Sequence, residues 1–121
     1  MMTGCEVVVH YVFPTVRAMI AQQLIETHGL TQKEAARRMG LTQPAISQYK
    51  KHARGQQAAA VKKNDVLVAK INEIATALSK DELDAEHATA RLCEICEEVR
   101  KGGVLENFDV DVKYALCAET H

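Results

Sequence analysis

Four cysteines and a short run of amides and hydroxyls are the side chains of this sequence that could do chemistry. Cys93 and Cys96 stand three residues apart. On a helix that spacing puts two thiols on successive turns, at neighbouring points of the surface. Such a pair can share a metal centre or close a disulfide. Cys5 and Cys117 each lie near a chain end. If the terminal segments pair or converge, four thiolates meet, which is the ligand number of an iron–sulfur cluster or a structural zinc. An iron–sulfur cluster on Cys5, Cys93, Cys96 and Cys117 is the first expectation. Zinc follows, weakened by the missing two-pair spacing. A metal-free thiol–disulfide switch and inert buried cysteines are the remaining readings. No phosphate-binding glycine loop and no nucleophile–base constellation is present, so the chain is expected not to be an enzyme. The enzymatic alternative is a thiol–disulfide oxidoreductase using Cys93 and Cys96, but these lack the βαβ context of a thioredoxin-like motif.

The amides and hydroxyls fall between Thr42 and Gln48, within the stretch QKEAARRMGLTQPAISQYKK that runs from Gln32 to Lys51. Two elements must position them. Thr31 and Glu34 have capping-box spacing, in which hydroxyl and carboxylate each satisfy an orphan backbone N–H. Ala35, Ala36 and Met39 then recur on one helical face. Gly40 permits the left-handed backbone that ends a helix tightly. Thr42 restarts helix as an N-cap, and Pro44 is tolerated in the first turn. Ile46 and Tyr49 supply the inward face, leaving Gln43, Ala45, Ser47 and Gln48 to face outward. Two short helices around a tight glycine turn form a helix-turn-helix, whose second helix can enter a major groove. Gln43 and Gln48 suit adenine edges, Pro44 and Ala45 a thymine methyl, and Ser47 either role. Gln32, Thr42, Lys50, Lys51 and Arg54 are candidates for phosphate. A packed hairpin without DNA function is the plainer alternative.

These residues resemble the DNA-binding unit of the phage Cro/repressor (XRE) class, with Gln32 opening the first helix, Ala36 at the crossing, Gly40 in the turn and Ile46 buried. Over residues 5–55 the chain is also similar to small predicted archaeal transcriptional regulators and to the regulatory domains fused to archaeal thiamine-biosynthesis enzymes. The LCEIC segment and the terminal cysteine resemble the stand-alone regulators. The resemblance implies binding of double-stranded DNA, as a homodimer. A zinc-stabilised, protein-binding helix-turn-helix adaptor is the third reading.

The rest of the chain must hold this unit. With 121 residues, 47% apolar, it has material for one compact domain plus an appendage. No apolar run spans a membrane, and MMTGCEVVVHYVF is no convincing signal peptide, so a cytoplasmic protein is expected. The net charge of −1 divides unevenly, at +6 over residues 1–63 and −7 over residues 64–121. The division marks a DNA-binding domain, 1–63, and a dimerisation and cysteine-bearing sensor region, 64–121.

The expected fold is mainly α: a helix-turn-helix bundle of four to five helices plus a C-terminal helix, with short β-strands at the termini. Cys5–Phe13 reads as one such strand, or else as a helical extension kinked at Pro14. Pro14–His28 reads as a helix with Val16, Met19, Ile20 and Leu24 inward. Gln56–Lys63 has good helix propensity. Asn64 or Asp65 can cap an amphipathic helix through Leu67, Ile71, Ile74 and Leu78. Ser79–Glu82 has capping-box spacing ahead of a last helix whose stripe is Ala85, Ala88, Leu92, Ile95 and Val99. Phe108 to Tyr114 alternates like a half-buried strand.

Overall fold

The computed structural model describes residues 12–52 and 56–101, all of it helices and short connections. Helix α1 spans Phe13–Gln22 and continues as a π-helical turn over Gln23–Thr27. It is followed by α2 (Gln32–Met39), α3 (Gln43–His52), α4 (Gln56–Lys62), α5 (Asp65–Ser79) and α6 (Ala85–Lys101). The mainly helical bundle expected from the sequence is therefore present. The cysteine-flanked strand readings lie largely outside the described residues. Where they overlap, they are corrected: Val12 has helical backbone and Phe13 opens α1. Pro14 sits in the first turn, where its missing N–H costs no helical bond. Burial decides the matter, since Val12 is fully enclosed and packs with the core residues of α1.

One main core joins elements from both sides of residue 63. Val16, Ile20 and Leu24 of α1 pack with Val61 of α4, with Leu67, Ile71, Ile74 and Leu78 of α5, and with Leu92, Ile95 and Val99 of α6. Each of these aliphatic side chains is almost wholly removed from water, worth about 1.5–3 kcal/mol apiece. The α5 and α6 stripes are those expected from their four-and-three spacing. Helix α5 starts at Asn64, whose Oδ1 accepts from the N–H groups of Val66 and Leu67 at 3.0 and 3.1 Å.

The cap of α6 differs from expectation. Ser79 belongs to the last turn of α5 and its hydroxyl donates to the Thr76 carbonyl at 2.7 Å. Asp84 is the cap instead, accepting from the His87 N–H at 2.8 Å. The reason is that α5 keeps its helical bonds through Ser79, and the chain then needs a turn before it can restart.

That turn repeats a device used once before. After α2, Gly40 adopts the left-handed conformation at φ 67°. Its N–H donates to Arg37 O at 3.2 Å, and the Leu41 N–H donates to Ala36 O at 2.8 Å. After α5, Asp81 adopts φ 61°. Its N–H donates to Leu78 O at 3.3 Å, and the Glu82 N–H to Ala77 O at 2.9 Å. Both are Schellman ends, satisfying carbonyls that the helix leaves open.

Candidate nucleic-acid interface

Helices α2 and α3 and the end of α1 enclose a second small core of Ala21, Ala36 and Ile46, flanked by Ile25, Met39 and Leu41. Alanines at the two facing positions let the helices approach closely, and Ile46 is the fully buried side chain of α3. Truncating such a residue opens a cavity and costs on the order of 2–5 kcal/mol. The angle between α2 and α3 thus rests on one isoleucine in a niche of small residues.

The opposite face of α3 is polar and open. Thr42, Gln43, Pro44, Ser47 and Gln48 are exposed and Ala45 is half-buried. Ser47 and Gln48 stand one turn beyond Pro44 and Gln43, so the reading candidates share the N-terminal half of the helix, the part that meets base edges in this motif. Thr42 caps that half, its Oγ1 accepting from the Ala45 N–H at 3.3 Å. The N-terminal turn also carries the positive end of the helix dipole, favourable beside phosphate. Gln32 is half-buried at the start of α2, and its Oε1 accepts from the Ser47 hydroxyl at 3.4 Å. A phosphate candidate and a base candidate are therefore tied across the motif. Lys50 and Lys51 lie on the last turns of α3, with side chains beyond those described, and Arg54 lies outside the described residues.

The capping box at the start of α2 is half realised. The Glu34 N–H donates to Thr31 Oγ1 at 3.1 Å. The Glu34 carboxylate turns forward instead, taking Arg37 Nε at 3.1–3.2 Å and Arg38 Nε at 2.8 Å. Hydrogen bonds from Arg37 and then Arg38 hold its carboxyl down at about 2. Two cations of the basic half are thus partly neutralised within α2.

Arg38 has a further role that sequence reasoning missed. Its Nη1 donates to the carbonyls of Leu78 at 2.9 Å and Ser79 at 3.4 Å, and lies 3.4 Å from the Asp81 carboxylate. A guanidinium on the reader thereby caps the C-terminus of α5, where cations are favoured. The partners are forty residues apart, so no local signal could have announced the contact.

On α6, Cys93 is exposed and Cys96 is half-buried against the main core. The helix places Cys96 at the edge of the buried stripe and Cys93 just beyond it, as the spacing implied. Neither is in a disulfide. Two neighbouring thiols suit one side of a thiolate-ligated centre. Cys5 and Cys117, the other two candidates, lie outside the described residues. Among the described residues, no group of three or more His, Cys, Asp or Glu converges as a metal site.

At the first turn of α6, His87 Nδ1 lies 2.7 Å from Asp84 Oδ1. Hydrogen bonds from the His87 backbone and ring lower the Asp84 carboxyl, and the Asp84 side chain raises His87 above its ordinary value.

An amphipathic two-helix unit with a buried isoleucine and an open amide-rich face is the architecture of a DNA reader. Residues 22–51, from the end of α1 almost to the end of α3, match the helix-turn-helix family model. Over these residues the chain is similar to helix-turn-helix DNA-binding units, and the two helices and tight glycine turn have the geometry of that motif. No curated protein and no solved structure matches the chain. No helix among the described residues is long and apolar enough to cross a membrane.

Proposed function

We propose that the protein is a sequence-specific transcriptional regulator in the cytoplasm that binds duplex DNA as a homodimer. In this reading Gln43 and Gln48 read base edges and Pro44, Ala45 and Ser47 complete the contact. Gln32, Thr42, Lys50, Lys51 and Arg54 hold phosphates. The observation that carries it is the exposure of Gln43, Ser47 and Gln48 on the N-terminal half of α3, a helix anchored to the bundle by the buried Ile46. Each good base contact contributes about 1–3 kcal/mol of discrimination. The test is selection of binding sites from a random duplex pool by wild type and by the Gln43→Ala/Gln48→Ala double variant. Relaxed sequence preference with folding intact is expected. An unchanged preference overturns the reader assignment.

The region 64–121 serves, in this reading, as the dimerising and sensing part, with Cys5, Cys93, Cys96 and Cys117 responding to redox state or holding an iron–sulfur cluster. The neighbouring thiols at the accessible edge of α6 support the sensing role. Anaerobically purified protein should absorb in the visible and contain iron and sulfide. Colourless protein with zinc, or with no metal, replaces the cluster by a zinc site or a thiol switch and leaves the DNA-reading assignment standing.

A further inference from the structure

A groove of about 390 Å³ opens between the helix-turn-helix and the first turns of α6. Its size lies in the range of small-ligand sites. The floor is aliphatic, made by Ile20, Ile74, Leu78 and Leu92, which are all buried. One wall is the turn of the reader itself, Gly40 and Leu41, facing Ala85 of α6. The turn cannot move away from or toward α6 without changing this groove: a Cβ placed on Gly40 would stand 2.9 Å from Ala85 Cβ.

Two charges mark the rim. Arg17 of α1 lies over the Phe13 ring, 5.5 Å from its centroid, and has no hydrogen-bonded or ion-paired partner among the described residues. Glu86 stands on the α6 side of the same rim, not within ion-pair distance of Arg17. An aliphatic floor beside a guanidinium that no described carboxylate pairs is the complement of an apolar body with one anionic end. The carboxylate of Glu86 opposes that anion but does not neutralise the cation that would receive it.

We propose that this groove binds a small organic acid, its apolar part on the aliphatic floor and its anionic group at Arg17, and that occupancy alters DNA affinity through the Gly40–Leu41 turn. The binding part stands independently of which bases α3 reads. The coupling part rests on the DNA-reading function.

The probes are octanoate, octanol and octylammonium, titrated below micelle-forming concentrations into the full chain at pH 7 and followed by amide chemical shifts. Octanoate is expected to move the amides of residues 39–41 and 85–89 at a concentration at least tenfold below that needed with octanol, with octylammonium weaker still. Arg17→Gln should bring octanoate down to the level of octanol, and Glu86→Gln should tighten octanoate. Ala88→Leu, which fills the groove, should abolish binding of all three probes while the sedimentation coefficient stays constant. Equal affinities for the three probes, shifts confined elsewhere, or a change of oligomeric state in Ala88→Leu overturn the proposal, the last by making the face an interface between copies. In the second arm, octanoate should change the affinity for a random-sequence duplex at least threefold in wild type and not in Arg17→Gln. Octanoate bound in the groove with unchanged duplex affinity overturns the coupling, whereas loss of duplex binding without any probe counts against the DNA reading instead.

Discussion

The chain turns a helix corner twice with the same hydrogen bonds, once after α2 and once after α5, yet the two corners are built from different materials. The first has glycine at the left-handed position, where the missing Cβ removes the steric cost. The second has Asp81, a residue that pays some strain at positive φ but can reach a partner. That partner is Arg38, which also donates to the last carbonyls of α5. The first corner is a local device. The second is held from outside, by the helix that precedes the first. The difference shows how the reader is fastened to the rest of the molecule: α2 supplies both a turn that α6 packs against and an arginine that finishes α5.

Substitutions at these corners test the contrast, and the largest effect belongs to Gly40. Gly40→Ala meets both an unfavourable φ and the Ala85 Cβ, and should cost about 2 kcal/mol in urea denaturation. Adding Ala85→Gly should recover only the steric part. Full recovery by the double variant shows that the left-handed backbone is not what needs glycine there. Arg38→Met comes next, at about 1–1.5 kcal/mol, because it leaves carbonyls of α5 and a carboxylate without their charged donor. Arg38→Lys should rescue little, since an ammonium lacks the fork that reaches several acceptors at once. Full rescue by lysine would reduce the contact to point charge. A smaller effect of opposite sign is expected for Asp81→Gly, which relieves strain while losing an exposed ion pair. Thermal unfolding should show it neutral or stabilising by up to about 1 kcal/mol, and a clear loss would make the Arg38–Asp81 pair more valuable than its exposure suggests.

The smallest effect is a pH dependence. Glu34 has its carboxyl lowered from 4.5 to about 2 by Arg37 and Arg38. A lowered carboxyl stabilises the fold above the unfolded value, and that contribution drains away as pH falls from about 4.5 toward 2. Wild type should therefore lose urea resistance more steeply than Glu34→Gln across this window. The difference should shrink in high salt because the pair is exposed. Parallel profiles would mean that the exposed pair with Arg37 adds nothing and that Arg38 is held by α5 rather than by Glu34.

Much of the reader was legible because its determinants are local. Thr31, Gly40, Thr42 and Pro44 act within one turn of their own position, and the burial of Ile46 follows from helical periodicity. The stripes of α5 and α6 were legible for the same reason, as was the placement of Cys96 at the edge of the α6 stripe with Cys93 just beyond it. Other features were set by competition between neighbours. Glu34 had the spacing of a capping box, but two arginines on its own helix offered charge-assisted bonds that outweigh one backbone N–H. Ser79 had the spacing of a cap, but continued helix absorbed it and Asp84 took the role. At Val12 and Phe13 the β-branched run suggested a strand, and the enclosure of Val12 in the main core favoured helix.

From the sequence alone, then, came the helix-turn-helix, the face of α3 that points to solvent and the helical character of the chain, since caps, glycine turns and apolar period act over a few residues. The tertiary structure alone decided that Arg38 finishes α5, that Gly40 abuts Ala85 and that an apolar groove with Arg17 at its rim forms behind the turn. Each of these joins residues twenty or more positions apart, and such contacts arise only when separate helices bury their stripes against one another.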